Sequence, residues 1–138
     1  LSDYSEVACE YALTFAKNFY STLQVLHVIN EPVDLRGFYV PHISFEQLEQ
    51  EIETGAVKML ETFCNENLKE FTAFTTAVVT GVPYEEIIRV ATEQESSLII
   101  IGTHGRAGLD HLIFGSTAER VVRSAPCPVM TIRLPVAP

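Results

Sequence analysis

The sequence has 138 residues, of which 47% are hydrophobic and 20% charged, and its formal net charge is −9. That length suits one domain with a core of its own, so a single domain over residues 1–138 is expected. The acidic balance argues against non-specific nucleic-acid binding, and no stretch reaches the ~20 continuous apolar residues of a membrane span.

In chain order, the first signal is Val7, Ala8, Tyr11, Ala12, Phe15 and Phe19. Their spacing of three and four predicts an amphipathic helix from about Asp3 to Phe19, capped by Ser2 or Asp3. "TLQVLHVI" (Thr22–Ile29) is short, apolar and rich in β-branched residues, and is expected to be a buried strand. "NEPVDLRGFYVPHI" (Asn30–Ile43) holds two prolines and a glycine without a period, and reads as a loop. Ser44 with Gln47 makes a capping box. It opens a long helix whose stripe is Leu48, Ile52, Ala56, Met59, Leu60 and Phe63, ending near Lys69.

"FTTAVV" (Phe74–Val79) is the next expected strand. In the segment after it, Pro83 suits a first helical turn and Glu85 and Glu86 its positive end, with Ile87, Ile88 and Ala91 inward. "SLIII" (Ser97–Ile101) is expected to be a strand buried on both faces. A helix from Ser116 to Ser124 stops before Pro126, and "PVMTIRL" (Pro128–Leu134) is the last strand. Strands alternating with helices predict an α/β fold, an open, doubly wound parallel sheet with helices on both faces. The chain begins directly on a helix, where such a fold would normally have one more strand first.

The charge is unevenly distributed. Residues 1–101 carry five Lys or Arg against 16 Asp or Glu, and residues 102–138 carry four Arg against Asp110 and Glu119. A small anion is therefore expected toward the C-terminal part. The three cysteines, Cys9, Cys64 and Cys127, contain no CxxC and read as reduced, partly buried thiols of a cytoplasmic protein. The four histidines show no zinc spacing with them.

"GTHGRAGLDHLIFGST" (Gly102–Thr117) leaves a strand end and enters a helix, with four glycines on the way. A helix N-terminus offers unpaired N–H groups and about half a positive charge, which makes it a ready anion site. Glycine admits close backbone approach to a ligand, and the Ser116 and Thr117 hydroxyls add donors. The physical reading is a phosphate cradle; the alternative is a loop whose glycines serve only turns and a helix start. It is not the GxxxxGK[ST] loop, since no lysine follows Lys69, nor the GxGxxG fingerprint.

The spacing Gly102-x2-Gly105-x9-Gly115-Ser116 resembles the G-2x-G-9x-G-[S/T] motif of the universal stress protein family. "HVINEP", "TGVPYEEI", "IIIGTHGRAGL" and "STAERVVRSAPCPVMTIR" are similar to that family too, in its order. The resemblance implies a five-stranded sheet of order 3-2-1-4-5 and binding of ATP, or of AMP or ADP, with Mg or Mn possible at the phosphates. By position it implies Val28 near the adenine and Ile101 and Gly102 near the ribose. Gly105, Gly115, Ser116 and Thr117 would hold the phosphates, flanked by His104 and Arg106. Family members begin with a central strand ending in aspartate. "LS" matches the step that follows it, so residues ahead of Leu1 are expected, and Asp3 is not that aspartate.

Three functions stay open on the sequence: a nucleotide-binding stress-response regulator, a slow ATPase, and a nucleotide-free dimeric scaffold. No spacing among His104, Asp110 and His111 marks an established hydrolytic site, and no catalytic residue is assigned. The resemblance further implies a homodimer, formed by pairing of the edge strand Val129–Leu134.

Overall fold

The computed structural model describes residues 2–30, 45–104 and 114–134. The expected loop at 30–43, Ser44 of the capping box, and Gly105 and Arg106 fall wholly or almost wholly outside them. The described elements alternate as α1 (Asp3–Phe19), β1 (Leu23–Ile29), α2 (Phe45–Asn67), β2 (Phe74–Thr80), α3 (Pro83–Glu93), β3 (Ile99–Gly102), α4 (Ser116–Ser124) and β4 (Val129–Ile132).

The helix α1 has the bounds that its periodicity predicts, with Ser2 as an extended N-cap. It stops at Tyr20, whose left-handed backbone (φ 53°) turns the chain so that the Ser21 N–H donates to the Ala16 carbonyl at 3.0 Å. The packed face is narrower than the sequence stripe. Ala8, Cys9 and Ala16 are buried, whereas Tyr11 and Phe19 are 49% and 68% exposed. Along α2 the buried residues are Ala56, Leu60, Phe63 and Cys64, and Met59 faces outward. Cys9, Leu60, Phe63, Cys64 and Leu68 form one buried cluster, against which Leu13, Leu23, Val25, Phe74 and Val78 pack. Each large side chain so buried contributes roughly 1.5–3 kcal/mol.

All three cysteines are free thiols. Burial, then the neighbouring Cys64 and Glu10, push the Cys9 thiol up to about 11. Burial also raises Cys64.

The strands pair in parallel in two sets. β1 runs beside β2 from Leu23 opposite Phe74 to Ile29 opposite Thr80. β3 runs beside β4 from Ile99 opposite Val129 to Gly102 opposite Ile132. Helix α1 packs with α2 and α3 with α4, and both pairs cover the strands. This is the layering expected of parallel strands sandwiched by helices.

β1 and β3 belong to separate two-stranded sheets. A cleft of about 210 Å3 lies between them, floored by Ala8, Cys9 and Ala12 of α1 and by Leu60 and Phe63 of α2. The cleft explains one departure from the sequence reading. β3 was expected to be buried on both faces, but every residue from Ile99 to Gly102 is only half-buried, because the strand borders this opening. Among the described residues no helix is long and apolar enough to cross a membrane.

Candidate functional site

The site is built where β3 ends and α4 begins. The β3–β4 ladder continues one residue past Gly102, with the Thr103 N–H donating to the Ile132 carbonyl at 2.9 Å. That bond fixes the carbonyl edge of the strand. The Thr103 carbonyl then accepts the Gly115 N–H at 2.6 Å. The two roots of the glycine-rich segment are thereby tied together, whatever path the chain takes between them.

Gly115 is the N-cap of α4, and its backbone is extended (φ −70°, ψ 164°). Any residue can adopt that conformation, so positive φ is not why glycine stands here. Close approach is. A Cβ on Gly115 would lie 3.2 Å from the Thr103 carbonyl oxygen and 3.6 Å from His104 Cα. Having no side chain, Gly115 offers the helix no side-chain cap bond. The first-turn N–H groups of α4, at Ser116 and Thr117, therefore take no side-chain cap from residue 115, and a helix start of this kind favours an anion. The first acid of the helix, Glu119, pairs with Arg123 at 2.8 Å. At the α3–α4 junction the Arg120 guanidinium stands 5.0 Å from the centre of the Tyr84 ring.

Thr103 and His104 are the two buried polar residues among those described, at 1% and 8% exposure. Their side chains meet at 3.0 Å between Thr103 Oγ1 and His104 Nδ1. The imidazole also packs against Tyr4 in the first turn of α1, with ring centres 5.3 Å apart and a tilt of 50°.

Of the sequence-expected residues, Ile101, Gly102, His104 and Gly115 come together at the end of β3, with Ser116 and Thr117 opening α4 from there. Val28 lies near the carboxyl end of β1, opposite Val79, in the other two-stranded sheet. Gly105 and Arg106 lie outside the described residues. Gly102 has a role that the loop motif did not suggest. A Cβ there would sit 2.7 Å from Tyr4 Cβ, so glycine is needed for α1 to seat against the strand end. Tyr4 and Thr103 were not singled out from the sequence. Tyr4 precedes Gly102 by 98 residues, and Thr103 lies inside the motif at a position whose residue type the motif leaves open.

The model of the universal stress protein family matches residues 1–133. The chain is 31% identical over 137 residues to the universal stress protein YxiE of Bacillus subtilis, covering 96% of this chain and 93% of that one. It is 32% identical over 152 residues to the universal stress protein MJ0577 of Methanocaldococcus jannaschii, covering 96% and 91%. The solved structure of MJ0577 superposes with a TM-score of 0.83 at 24% identity, covering 99% of this chain and 92% of that one. The alternation of helices and parallel strands, the tied glycine segment and these matches agree, and the chain belongs to the universal stress protein family.

Proposed function

We propose that this protein binds an adenine nucleotide, ATP foremost with AMP or ADP as alternatives, and acts in the stress response as a regulator. The observation that carries this reading is the bond from the Gly115 N–H to the Thr103 carbonyl, which sets the uncapped start of α4 against the carboxyl end of β3. In open parallel sheets ligands bind at the carboxyl ends of the strands, and a free helix N-terminus there favours phosphate. The phosphates would rest on Gly115, Ser116 and Thr117 beside His104, the ribose at Ile101 and Gly102, and the adenine toward Val28. Gly105 and Arg106 would complete the phosphate side.

Among proteins of similar fold, a universal stress protein from Archaeoglobus fulgidus has been solved in complex with dAMP and another universal stress protein in complex with cAMP. Those ligands belong to those proteins; they support an adenine nucleotide as the class to test. Mg or Mn, if it accompanies the phosphates, would take ligands mainly from phosphate oxygens and water.

The same reading treats residues 1–138 as one domain of a cytoplasmic protein. Its sheet would be the five-stranded one of order 3-2-1-4-5, counted in the family's strands, with β1 and β2 standing as its second and third strands and β3 and β4 as its fourth and fifth. A homodimer would form through Val129–Leu134. Light scattering at micromolar concentration should give twice the chain mass; a monomer would remove the dimer. For the nucleotide, the test is isothermal calorimetry with ATP, AMP and ADP. Saturable binding of at least one supports the reading, and none at millimolar ligand overturns it.

A further inference from the structure

We propose that Cys9 and Cys64 are an oxidisable pair, which a peroxide closes into a disulfide linking α1 to α2. Neither residue belongs to the nucleotide site described above.

Three observations bring the two thiols together. Cys9 lies on α1 and Cys64 on α2; both are buried, and both belong to the one cluster that Leu60, Phe63 and Leu68 complete. The two helices pack directly on each other. Helices in contact have axes about 8–10 Å apart and Cα atoms about 2.3 Å from each axis, so facing Cα atoms come to about 4–5.5 Å, within the range that a disulfide spans. Burial is the main reason the Cys9 thiol is raised, and next comes the charge of Cys64, ahead of that of the adjoining residue Glu10. Coulomb interactions weaken with distance, so Cys64 stands nearer to the Cys9 sulfur than the Glu10 carboxylate does.

The surroundings favour the bond. Burial among apolar side chains opposes either thiolate and raises both thiols. A disulfide carries no charge, so the same burial does not oppose it. Where protein groups stabilise thiolates, a disulfide is easily reduced; here the thiolates are disfavoured, and the closed form is correspondingly hard to reduce. Cys9 is also open to a small oxidant, since with Leu60 and Phe63 it lines the cleft of about 210 Å3 between β1 and β3.

Hydrogen peroxide supplies the oxidant. The Cys9 thiolate attacks one peroxide oxygen; the O–O bond breaks, leaving a sulfenic acid on Cys9 and a hydroxide. The Cys64 thiolate then attacks the Cys9 sulfur; the S–S bond forms, and the S–O bond breaks to release a second hydroxide. The protons given up by the two thiols convert both hydroxides to water. The link would brace the cleft. Helix α1 is seated through Tyr4 on Gly102 at the end of β3, and α2 packs on β1 and β2, so joining the helices ties the two strand pairs together.

The test uses Cys127→Ser, which removes the half-buried third thiol from competition and leaves the cluster untouched. Treated with hydrogen peroxide while folded, this chain should lose two hydrogens in intact mass, and a non-reducing peptide map should join the Cys9 and Cys64 peptides. The rate should rise about tenfold per pH unit from pH 7 to 9, as the thiolate fraction does below a thiol at about 11. The closed form should unfold at a higher urea concentration than the reduced form, and dithiothreitol in urea should restore the mass. Replacing Cys64 by alanine as well should end the mass loss and leave a Cys9 sulfenic acid, trapped by dimedone as the chain is unfolded.

No linked peptide from the folded chain, under conditions that join the same thiols in the urea-unfolded chain, overturns the proposal. So does a closed form that unfolds at lower urea than the reduced one, which would show that closure distorts the packing. Either result leaves the nucleotide reading intact, since calorimetry tests that separately. If Cys64→Ala fails to fold, the peptide map of Cys127→Ser decides alone.

Discussion

Replacing Gly115 and Gly55 by alanine, one at a time, separates a glycine kept for close approach from one that is merely tolerated. Gly55 lies inside α2, and a Cβ there would meet nothing within 4 Å. Alanine in an exposed helix interior gains about 0.5–1 kcal/mol over glycine, so Gly55→Ala should stabilise by that amount. At Gly115 the extended backbone also accepts alanine, which contributes a comparable gain by restricting the unfolded chain, roughly 0.4–1 kcal/mol. Two effects oppose it. The new Cβ would sit 3.2 Å from the Thr103 carbonyl oxygen, forcing a shift of a few tenths of an ångström on the same atoms that make the 2.6 Å bond. Overpacking of this kind costs about 1–3 kcal/mol. Alanine is also a poorer N-cap than glycine, by roughly half a kcal/mol. The net expectation is a loss of about 0.5–3 kcal/mol, each kcal/mol lowering Tm by roughly 3–4 °C for a chain of this size. The two variants should therefore move in opposite directions in thermal and urea unfolding. If Gly115→Ala is as stabilising as Gly55→Ala, the close contact between α4 and the end of β3 is not real. Gly115→Val adds two more methyl carbons against the Thr103–His104 backbone. The loop motif alone suggests that this change would remove nucleotide binding with the fold intact; the packing predicts a loss of stability as well.

Gly102→Ala places a methyl group 2.7 Å from Tyr4 Cβ, an atom too near its own backbone to swing aside; a loss of about 1–3 kcal/mol in urea unfolding is expected, and an unchanged midpoint would refute the seating of α1. Cys9, pushed up to about 11, is almost wholly protonated at pH 8 and buried, so a thiol reagent should modify Cys127, which is only half-buried, first in the native protein. Labelling of Cys9 ahead of Cys127 in a peptide map would contradict that. The folded-state thiol is raised above its ordinary value of 9.0. Its contribution to stability is therefore fully present below pH 9 and is lost as pH rises from there toward 11. Cys9→Ser should flatten that part of the stability–pH curve; an unchanged curve would assign the alkaline loss to other groups.

Most elements were legible because their periods are unambiguous. The three-and-four spacing of α1, the β-branched run of β1 and the Pro83 start of α3 each matched the structure, α1 to the residue. The extent of each buried face was less legible. A stripe of apolar residues shows which side of a helix turns inward, but its width in the structure depends on what covers it. Hence Tyr11, Phe19 and Met59 belong to their stripes yet are exposed, while Cys9 and Cys64, expected to be partly buried, lie fully in the core.

At the site, the glycine spacing pointed to Gly102 and Gly115, but the reason for glycine was partly different. Each admits another part of the chain, Tyr4 in one case and the Thr103–His104 backbone in the other. Such contacts join residues far apart in sequence and leave no local pattern. β1 pairs with β2 and β3 with β4, all in parallel, as strands alternating with helices predict. The half-burial of β3 did not follow from its composition, because "III" reads the same whether or not the strand borders a cleft.

The central claim is that the start of α4, set against the end of β3, holds the phosphates of an adenine nucleotide. Calorimetric titration of the wild-type chain and Gly115→Val with ATP tests it most directly, with circular dichroism verifying that the variant is folded at the working temperature. Saturable binding by the wild type, lost or weakened at least about tenfold in the folded variant, is the predicted result. Equal affinity in both proteins would contradict the site, and no binding by the wild type at millimolar ATP would contradict the function.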